Sequence, residues 1–267
     1  MRSRKRKLLL VVLLLAAIGA AAGLWHVRRA MRLKDAVNPL YWVRRWRQED
    51  MFDSRWRLLH HGNRRLREVA LTIDDGPHYP TCPQILDALR AEGVRATFFV
   101  VGKEVDKKPE LVRRMLAEGH EVGNHSQNHL RLDTLNEAQT WREINDGDIY
   151  FHWATGRHLR LLRPPGVRYN AQALRVAGAL GYVTVTWSCA GNDYRDVSAD
   201  EIVQSVLQRV ENGSIILLHD TYPGTPAALP RLLRELKRQG YRFVTISEML
   251  SRLPEPVHVA QNPQTER

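Results

Sequence analysis

Val-Ala-Leu-Thr-Ile-Asp-Asp-Gly-Pro, residues 69–77, is an apolar, β-branched run that stops on two carboxylates and a turn. A run of that length, bounded by Asp-Gly and Gly-Pro, reads as a buried strand entering a loop. The same unit recurs downstream. Apolar runs at 96–101, 120–124, 159–163, 182–188, 214–219 and 242–246 bring the expected strands to seven, and the intervals between them read as helices. Helix punctuation supports those intervals. Pro83 opens one that Gly93 closes, Pro109 opens one that Gly119 closes, Thr134–Glu137 and Ser198–Glu201 are spaced as capping boxes, and Gly181 and Gly240 stand at C-termini. Repeated βα units require a parallel sheet, because each helix carries the chain back to the end where the next strand begins. Seven of them without a long interruption predict an α/β fold, a closed or nearly closed barrel rather than an open sheet.

Polar residues gather at one end of that frame. Asp74 and Asp75 follow the first strand, His125 follows the third, Arg163 ends the fourth, Trp187–Tyr194 leaves the fifth, and His219 and Asp220 end the sixth. These are carboxyl ends of strands, where β/α barrels assemble their chemistry. Asp-Asp-Gly-Pro alone is also a turn signature, and a His-x3-His pair alone is compatible with surface or core histidines. Together they offer more. Zinc takes imidazoles and a carboxylate and keeps one position open for water, so Asp75, His125 and His129 form a candidate ligand set. Asp74 is left over as a base for the water, while the cation polarises the carbonyl under attack. The same donors suit cobalt, iron or nickel. Ser126 reads as a turn hydroxyl, because no Gly-x-Ser-x-Gly elbow is present. His219 reads as a general acid and Asp220 as a cap for the following loop. Leu217, two residues before His219, points to the same side of its strand and either walls a small apolar pocket or packs the core.

The 267-residue chain is 43% apolar and 26% charged, ordinary for a globular protein. Its formal charge of +11 is concentrated in residues 1–68, which hold 17 Lys/Arg against 5 Asp/Glu, leaving 23 against 24 for the rest. No nucleic-acid groove is expected in the near-neutral remainder. Residues 8–25 are uncharged after Arg2, Arg4, Lys5, Arg6 and Lys7, and eighteen helical residues span about 27 Å. This segment is either a signal peptide, with Ala20-Ala21-Ala22 as cleavage site, or a membrane-spanning helix with Trp25 at the far interface; its Leu/Val-rich core favours the anchor. The expected organisation is an N-terminal signal or anchor at 1–27, a basic Trp/Arg-rich stem at 28–67, a catalytic domain at 68–252 and a polar tail at 253–267. The stem, with Trp42, Trp46 and Trp56 among arginines, reads as an interfacial amphipathic helix or as a segment packed on the domain. Cys82 and Cys189 permit one disulfide at most and read as two buried free thiols.

The ordered set LTIDDGP (71–77), NHSQNH (124–129), RPPGVRYN (163–170), WSCAGNDY (187–194) and ILLHD (216–220) resembles the polysaccharide deacetylases of the NodB-homology type, carbohydrate esterase family 4. The likeness runs over about residues 68–250. It implies a distorted (β/α)7 barrel and zinc-assisted removal of N-acetyl groups from N-acetylglucosamine-type sugars in peptidoglycan, chitin oligomers or exopolysaccharide. Carried over by motif, Asp74 is the catalytic base and Asp75, His125 and His129 hold the metal. Arg163 orients the base, the backbone N–H of Gly166 helps bind the oxyanion, Leu217 lines the acetyl-methyl pocket and His219 protonates the leaving amine. A carboxylate of the fourth motif, here Asp193, tunes the acid.

The chain departs from the family pattern in places. Ala190 stands where the fourth motif commonly carries a further carboxylate, which leaves open whether Asp193 serves Arg163 or His219. Tyr194 replaces a groove tryptophan and can still stack on a sugar, Gly166 replaces a frequent aromatic, and Leu130 replaces a common proline. Two functions are therefore carried forward: a membrane-anchored, extracytoplasmic deacetylase, secreted if the signal is cleaved, and a cell-wall carbohydrate-binding protein without turnover. A small-amide hydrolase is disfavoured by the N-terminal anchor. The expected partners are an amino-sugar polysaccharide and the membrane, with no nucleic acid and no obligate protein partner.

Overall fold

The computed structural model describes residues 51–195, 197–255 and 257. The expected anchor and most of the stem, with Trp42 and Trp46, lie outside the described residues, as does most of the expected tail. Among the described residues no helix is long and apolar enough to cross a membrane.

Each of the seven expected strands forms, most of them shorter than the apolar run that announced it. They are β3 (Glu68–Asp74), β4 (Thr97–Val100), β5 (Glu121–Asn124), β6 (Leu161–Leu162), β7 (Val183–Val185), β9 (Ser214–His219) and β10 (Arg242–Phe243). The run at 182–188 stops early, and the chain resumes pairing as β8 (Cys189–Ala190). Parallel pairing runs β7-β6-β5-β4-β3-β9-β8, with β10 beside the start of β3. Because β8 continues the chain of β7 after three residues, the ladder returns to the segment it left, and the sheet curls into a barrel. Two short strands were not anticipated: β1 (Phe52–Asp53) and β2 (Leu58–Leu59) form a hairpin whose second strand pairs parallel with β7. Residues expected to be stem thus already belong to the sheet.

Helices α1 (Thr81–Ala91), α2 (Gly102–Lys107), α3 (Pro109–Ala117), α4 (Glu137–Thr155), α5 (Ala171–Ala179), α6 (Ala199–Leu207), α7 (Gly224–Arg238) and α8 (Ile246–Leu250) fill the intervals. In α7, Leu229, Leu232, Leu233 and Leu236 are buried at helical spacing while Arg231, Arg234 and Arg238 face outward. Ser198 and Glu201 form the expected capping box on α6. The box expected at Thr134–Glu137 sits two residues later, on Asn136 and Gln139, because Leu132–Thr134 forms a separate 3-10 turn. Pro83 lies in the first turn of α1 rather than at its start.

Strand alternation divides the core and places the site. On β3, Val69, Leu71 and Ile73 face the helices, while Ala70 packs in the barrel interior with Leu59, Phe99, Leu161, Val183, Val185 and Ile215. With a period of two, Thr72 and Asp74 fall on the same inner face as Ala70. On β9, Ile216 and Leu218 face outward, which turns Ile215, Leu217 and His219 inward. Ile246, Met249 and Leu250 of α8 fill the opposite end of the interior, where Ile246 N–H donates to Thr97 Oγ1 and Ser247 N–H to Glu121 at the starts of β4 and β5. The apolar plug leaves the carboxyl ends of the strands as the open mouth.

Candidate active site

At that mouth a cavity of about 350 Å³ is lined by Asp74, Asp75, His125, His129, Gly166, Tyr194, Leu217 and His219, together with Val167, Trp187 and Tyr222. Arg163 and Asp193 lie behind the lining, so all ten residues singled out in the sequence converge here. Val167, Trp187 and Tyr222 were not singled out. Trp187 is half-exposed in a named motif, and its signal was available. A larger groove of about 830 Å³ between α4 and α5 holds Trp141, Glu137 and two arginines, but none of the paired acid–base groups.

Asp75 Oδ1 lies 3.4 Å from His125 Nε2 and 3.1 Å from His129 Nε2, and one donor atom from each of the three residues falls within 4.8 Å of the others. The His125 ring is oriented from behind: Nδ1 donates to the Arg163 carbonyl at 2.7 Å, which can only accept. Nε2 of a neutral His125 therefore presents a lone pair to the Asp75 carboxylate. Lone pairs converging on one point are reconciled by a cation or by added protons, and the buried Nδ1–H···O=C bond is the usual support behind a metal-ligating histidine. The set fits a divalent metal. Burial pushes the Asp75 carboxyl up, but with protons on the imidazoles in place of a cation, hydrogen bonds from His125 and His129 and the charges of His125 and His219 outweigh it and hold Asp75 well below the usual carboxylate range.

Helix α4 fastens the histidine loop. Glu143, on the buried stripe of α4, accepts from Asn128 N–H at 2.9 Å and from Asn128 Nδ2 at 2.7 Å, and its carbonyl accepts from Gln127 N–H. Asn124 Oδ1 takes the Ser126 N–H at 2.8 Å, while its amide donates to the Ile144 carbonyl and the Tyr182 hydroxyl. Ser126 Oγ accepts the His129 N–H at 3.0 Å, the turn role expected of it. Glu143 escaped the motif reading; a carboxylate on the apolar stripe Thr140, Ile144, Gly147, Phe151 was its sequence signal.

Asp74 belongs to a different network. Arg163, fully buried, donates from Nη1 to Asp74 Oδ1 at 2.8 Å and to Thr72 Oγ1 at 2.6 Å, and from Nη2 to the Thr186 carbonyl at 2.9 Å. Its guanidinium stands 4.2 Å from the Phe99 ring centroid. Burial pulls the guanidinium down and the Asp74 carboxylate partly restores it. Among the described residues no second carboxylate reaches Arg163; carbonyls, a hydroxyl and a ring face do its positioning, and Asp74 is held by Arg163 although Ala190 carries no charge.

Asp193 serves His219 instead. Its carboxylate accepts from His219 Nδ1 at 2.8 Å, from the His219 backbone N–H at 2.7 Å and from Thr225 Oγ1 at 2.7 Å. Burial lowers the proton affinity of His219, but Asp193, with the charges of Asp74 and Asp75, raises it net above the ordinary histidine value. With Nδ1 engaged, Nε2 is the free nitrogen. Asp74 and His219 are register partners on the adjacent strands β3 and β9. A carboxylate and a histidine thus flank the ligand trio, the pairing needed to move one proton off a water and another onto a leaving group. Tyr194 and Tyr222 stand edge-on to the His219 ring at 6.0 and 5.8 Å.

Asp220 does not cap the loop that follows it. Fully buried, it accepts the His78 N–H at 2.8 Å across the barrel mouth and so ties down the loop that carries Asp75. Cys82 and Cys189 are buried free thiols, burial pushing Cys189 up to about 12.

A polysaccharide deacetylase profile matches residues 61–185. A peptidoglycan-N-acetylglucosamine deacetylase of Bacillus cereus is 42% identical over 188 residues, covering 68% of this chain and 87% of the relative. A chitooligosaccharide deacetylase of Bradyrhizobium is 35% identical over 198 residues, covering 68% and 90%. Among solved structures, the Bc1960 peptidoglycan N-acetylglucosamine deacetylase, in complex with an N-hydroxybenzamide derivative, superposes with a TM-score of 0.71 at 35% identity, over 73% of this chain and 93% of that one. With relatives at this identity and coverage, the chain belongs to the polysaccharide deacetylase family, carbohydrate esterase family 4.

Proposed function

We propose that this protein is a metal-dependent N-deacetylase acting on N-acetylglucosamine units of peptidoglycan or a related amino-sugar polymer. The observation that carries the proposal is the placement of Asp74 and His219 as register partners beside the Asp75–His125–His129 trio in one cavity. Asp75, His125 and His129 would hold a divalent cation, zinc by preference of the donor set, whose chemistry is Lewis-acid polarisation of the amide carbonyl.

The chain's own groups supply the rest. Asp74, held by Arg163, takes a proton from the attacking water. Leu217, on the inner face of β9 two residues before His219, receives the acetyl methyl, and the Gly166 amide, at the turn after β6, faces the charge that develops on oxygen. His219, charged through Asp193, gives its Nε2 proton to the sugar nitrogen as the C–N bond breaks, leaving free amine and acetate. Tyr194 and Trp187 provide ring faces for the sugar. We also place the catalytic domain outside the cytoplasm, on a membrane anchor formed by residues 8–25, because the proposed substrate is an envelope polymer and the basic-then-apolar N-terminus matches an export signal.

The test is acetate release by the purified full chain from peptidoglycan and from chitooligosaccharides, after treatment with a chelator and after addition of zinc. Release that is lost on chelation and restored by zinc is expected. Binding of either polymer without acetate release under any metal condition would instead identify a carbohydrate-binding protein.

A further inference from the structure

The turn Pro165-Gly166-Val167-Arg168, which follows β6 at the barrel mouth, is closed by the Arg168 N–H donating to the Pro165 carbonyl at 3.1 Å. Both central residues have positive φ, Gly166 at 59° and Val167 at 53°. Glycine adopts that conformation freely; a β-branched residue there is a genuine outlier, with its branched Cβ crowded against the backbone. The Val167 N–H donates to the Pro164 carbonyl at 2.8 Å, a backbone bond that a glycine at this position would make as well. Valine is also half-buried and lines the cavity that contains the ligand trio. In strand order the β6 turn and His219 on β9 stand on either side of β3, β4 and β5, whose ends carry Asp74, Asp75 and His125. Strain kept at such a position, where a glycine would remove it, points to a use for the side chain.

Resting on the deacetylase reading, we propose that Val167 is a specificity-determining residue whose isopropyl group forms the apolar wall of the sugar subsite, against the C–H face of the N-acetylhexosamine being deacetylated. Gly166, the neighbouring lining residue, has no side chain to offer, and Val167 supplies the wall in its place. The residue touches the sugar and not the acetyl group, so its contribution is confined to substrates that contain the ring. Loss of two buried methyl groups corresponds to about a tenfold change in binding.

The test compares Val167→Gly, Val167→Asn and Val167→Ile in the full-length, zinc-supplemented protein, with three readouts: the urea midpoint of unfolding, the kinetics of chitotetraose deacetylation and the hydrolysis of 4-nitrophenyl acetate, which has no sugar ring. Gly and Asn both tolerate positive φ, so both variants should unfold at higher urea than wild type. Both should raise KM for chitotetraose by about tenfold with kcat within a factor of two, and leave ester hydrolysis unchanged. Val167→Ile, which keeps the wall, should retain the wild-type KM. A higher midpoint with an unchanged sugar KM would overturn the proposal, as would an unchanged midpoint or a parallel loss of ester and sugar turnover. Absence of sugar deacetylation in the wild type, with ester hydrolysis intact, would refute the deacetylase reading itself, and this proposal with it.

Discussion

Replacing Asp193 by Asn removes one charge from a buried site while keeping its shape. Three donors converge on the wild-type carboxylate: His219 Nδ1–H, the His219 backbone N–H and the Thr225 hydroxyl. A carboxamide has one oxygen. If that oxygen keeps the backbone N–H and Thr225, the amide NH2 faces His219 Nδ1, which must then become an acceptor and give up its proton. A charge-assisted hydrogen bond contributes roughly 1.5–3 kcal/mol, so turnover at neutral pH should fall about 10- to 150-fold. The pH profile carries the sharper signature. Wild-type His219 is raised by Asp193 against the pull of burial; without that carboxylate its largest raising contributions are gone, and the alkaline limb of kcat should move to lower pH. Linkage gives the same sign for stability. A histidine raised in the folded state stabilises it below the unfolded histidine value, and that contribution is lost as pH rises through the folded value; Asp193→Asn should flatten this dependence. Acetate release measured across the pH range checks the claim. A uniform loss with the alkaline limb unmoved would show that Asp193 acts only through packing.

Arg163→Met should cost about 3–5 kcal/mol of stability, because it leaves the buried Asp74 carboxylate without its counter-charge; urea unfolding reads this directly, and an unchanged midpoint would remove Arg163 from the account. Gly76→Ala should lose metal affinity and activity together, since an added Cβ would stand 2.2 Å from Asp220 Oδ2 and push away the loop that carries Asp75. Metal titration by calorimetry measures it, and wild-type affinity would show that this loop can relax.

Much of the fold was legible because β3 and β9 are buried on both faces and read as unbroken apolar runs, each ending on a polar residue that lines the cavity. The hairpin of β1 and β2 was not. Two-residue strands embedded among Arg55, Trp56 and Arg57 carry no period of their own and form only because β7 presents an open edge. The run at 182–188 hid its break for a related reason: Thr186 N–H still bonds the Leu59 carbonyl of β2, while Ser188 N–H already bonds the Ile215 carbonyl of β9, a change of partner strand invisible in local pattern. At the site, the motif residues could be placed by their positions at strand ends. Partnership could not, because it depends on which of two buried groups Asp193 reaches, a distance set by the 3-10 turn at 193–195. Glu143 and Asp220, which fasten the two ligand loops, act across the tertiary fold, and local patterning showed only that Glu143 was out of place on an apolar stripe.

In the proposed mechanism the adjacent aspartates divide the work, Asp75 on the metal and Asp74 on the water. Metal content and acetate release, measured on the same preparation of Asp74→Asn, test it most directly, with His125→Ala as the reference for a lost ligand. Near wild-type metal with turnover abolished is expected in Asp74→Asn, and loss of both in His125→Ala. Loss of metal from Asp74→Asn, or sustained turnover by it, would contradict the assignment.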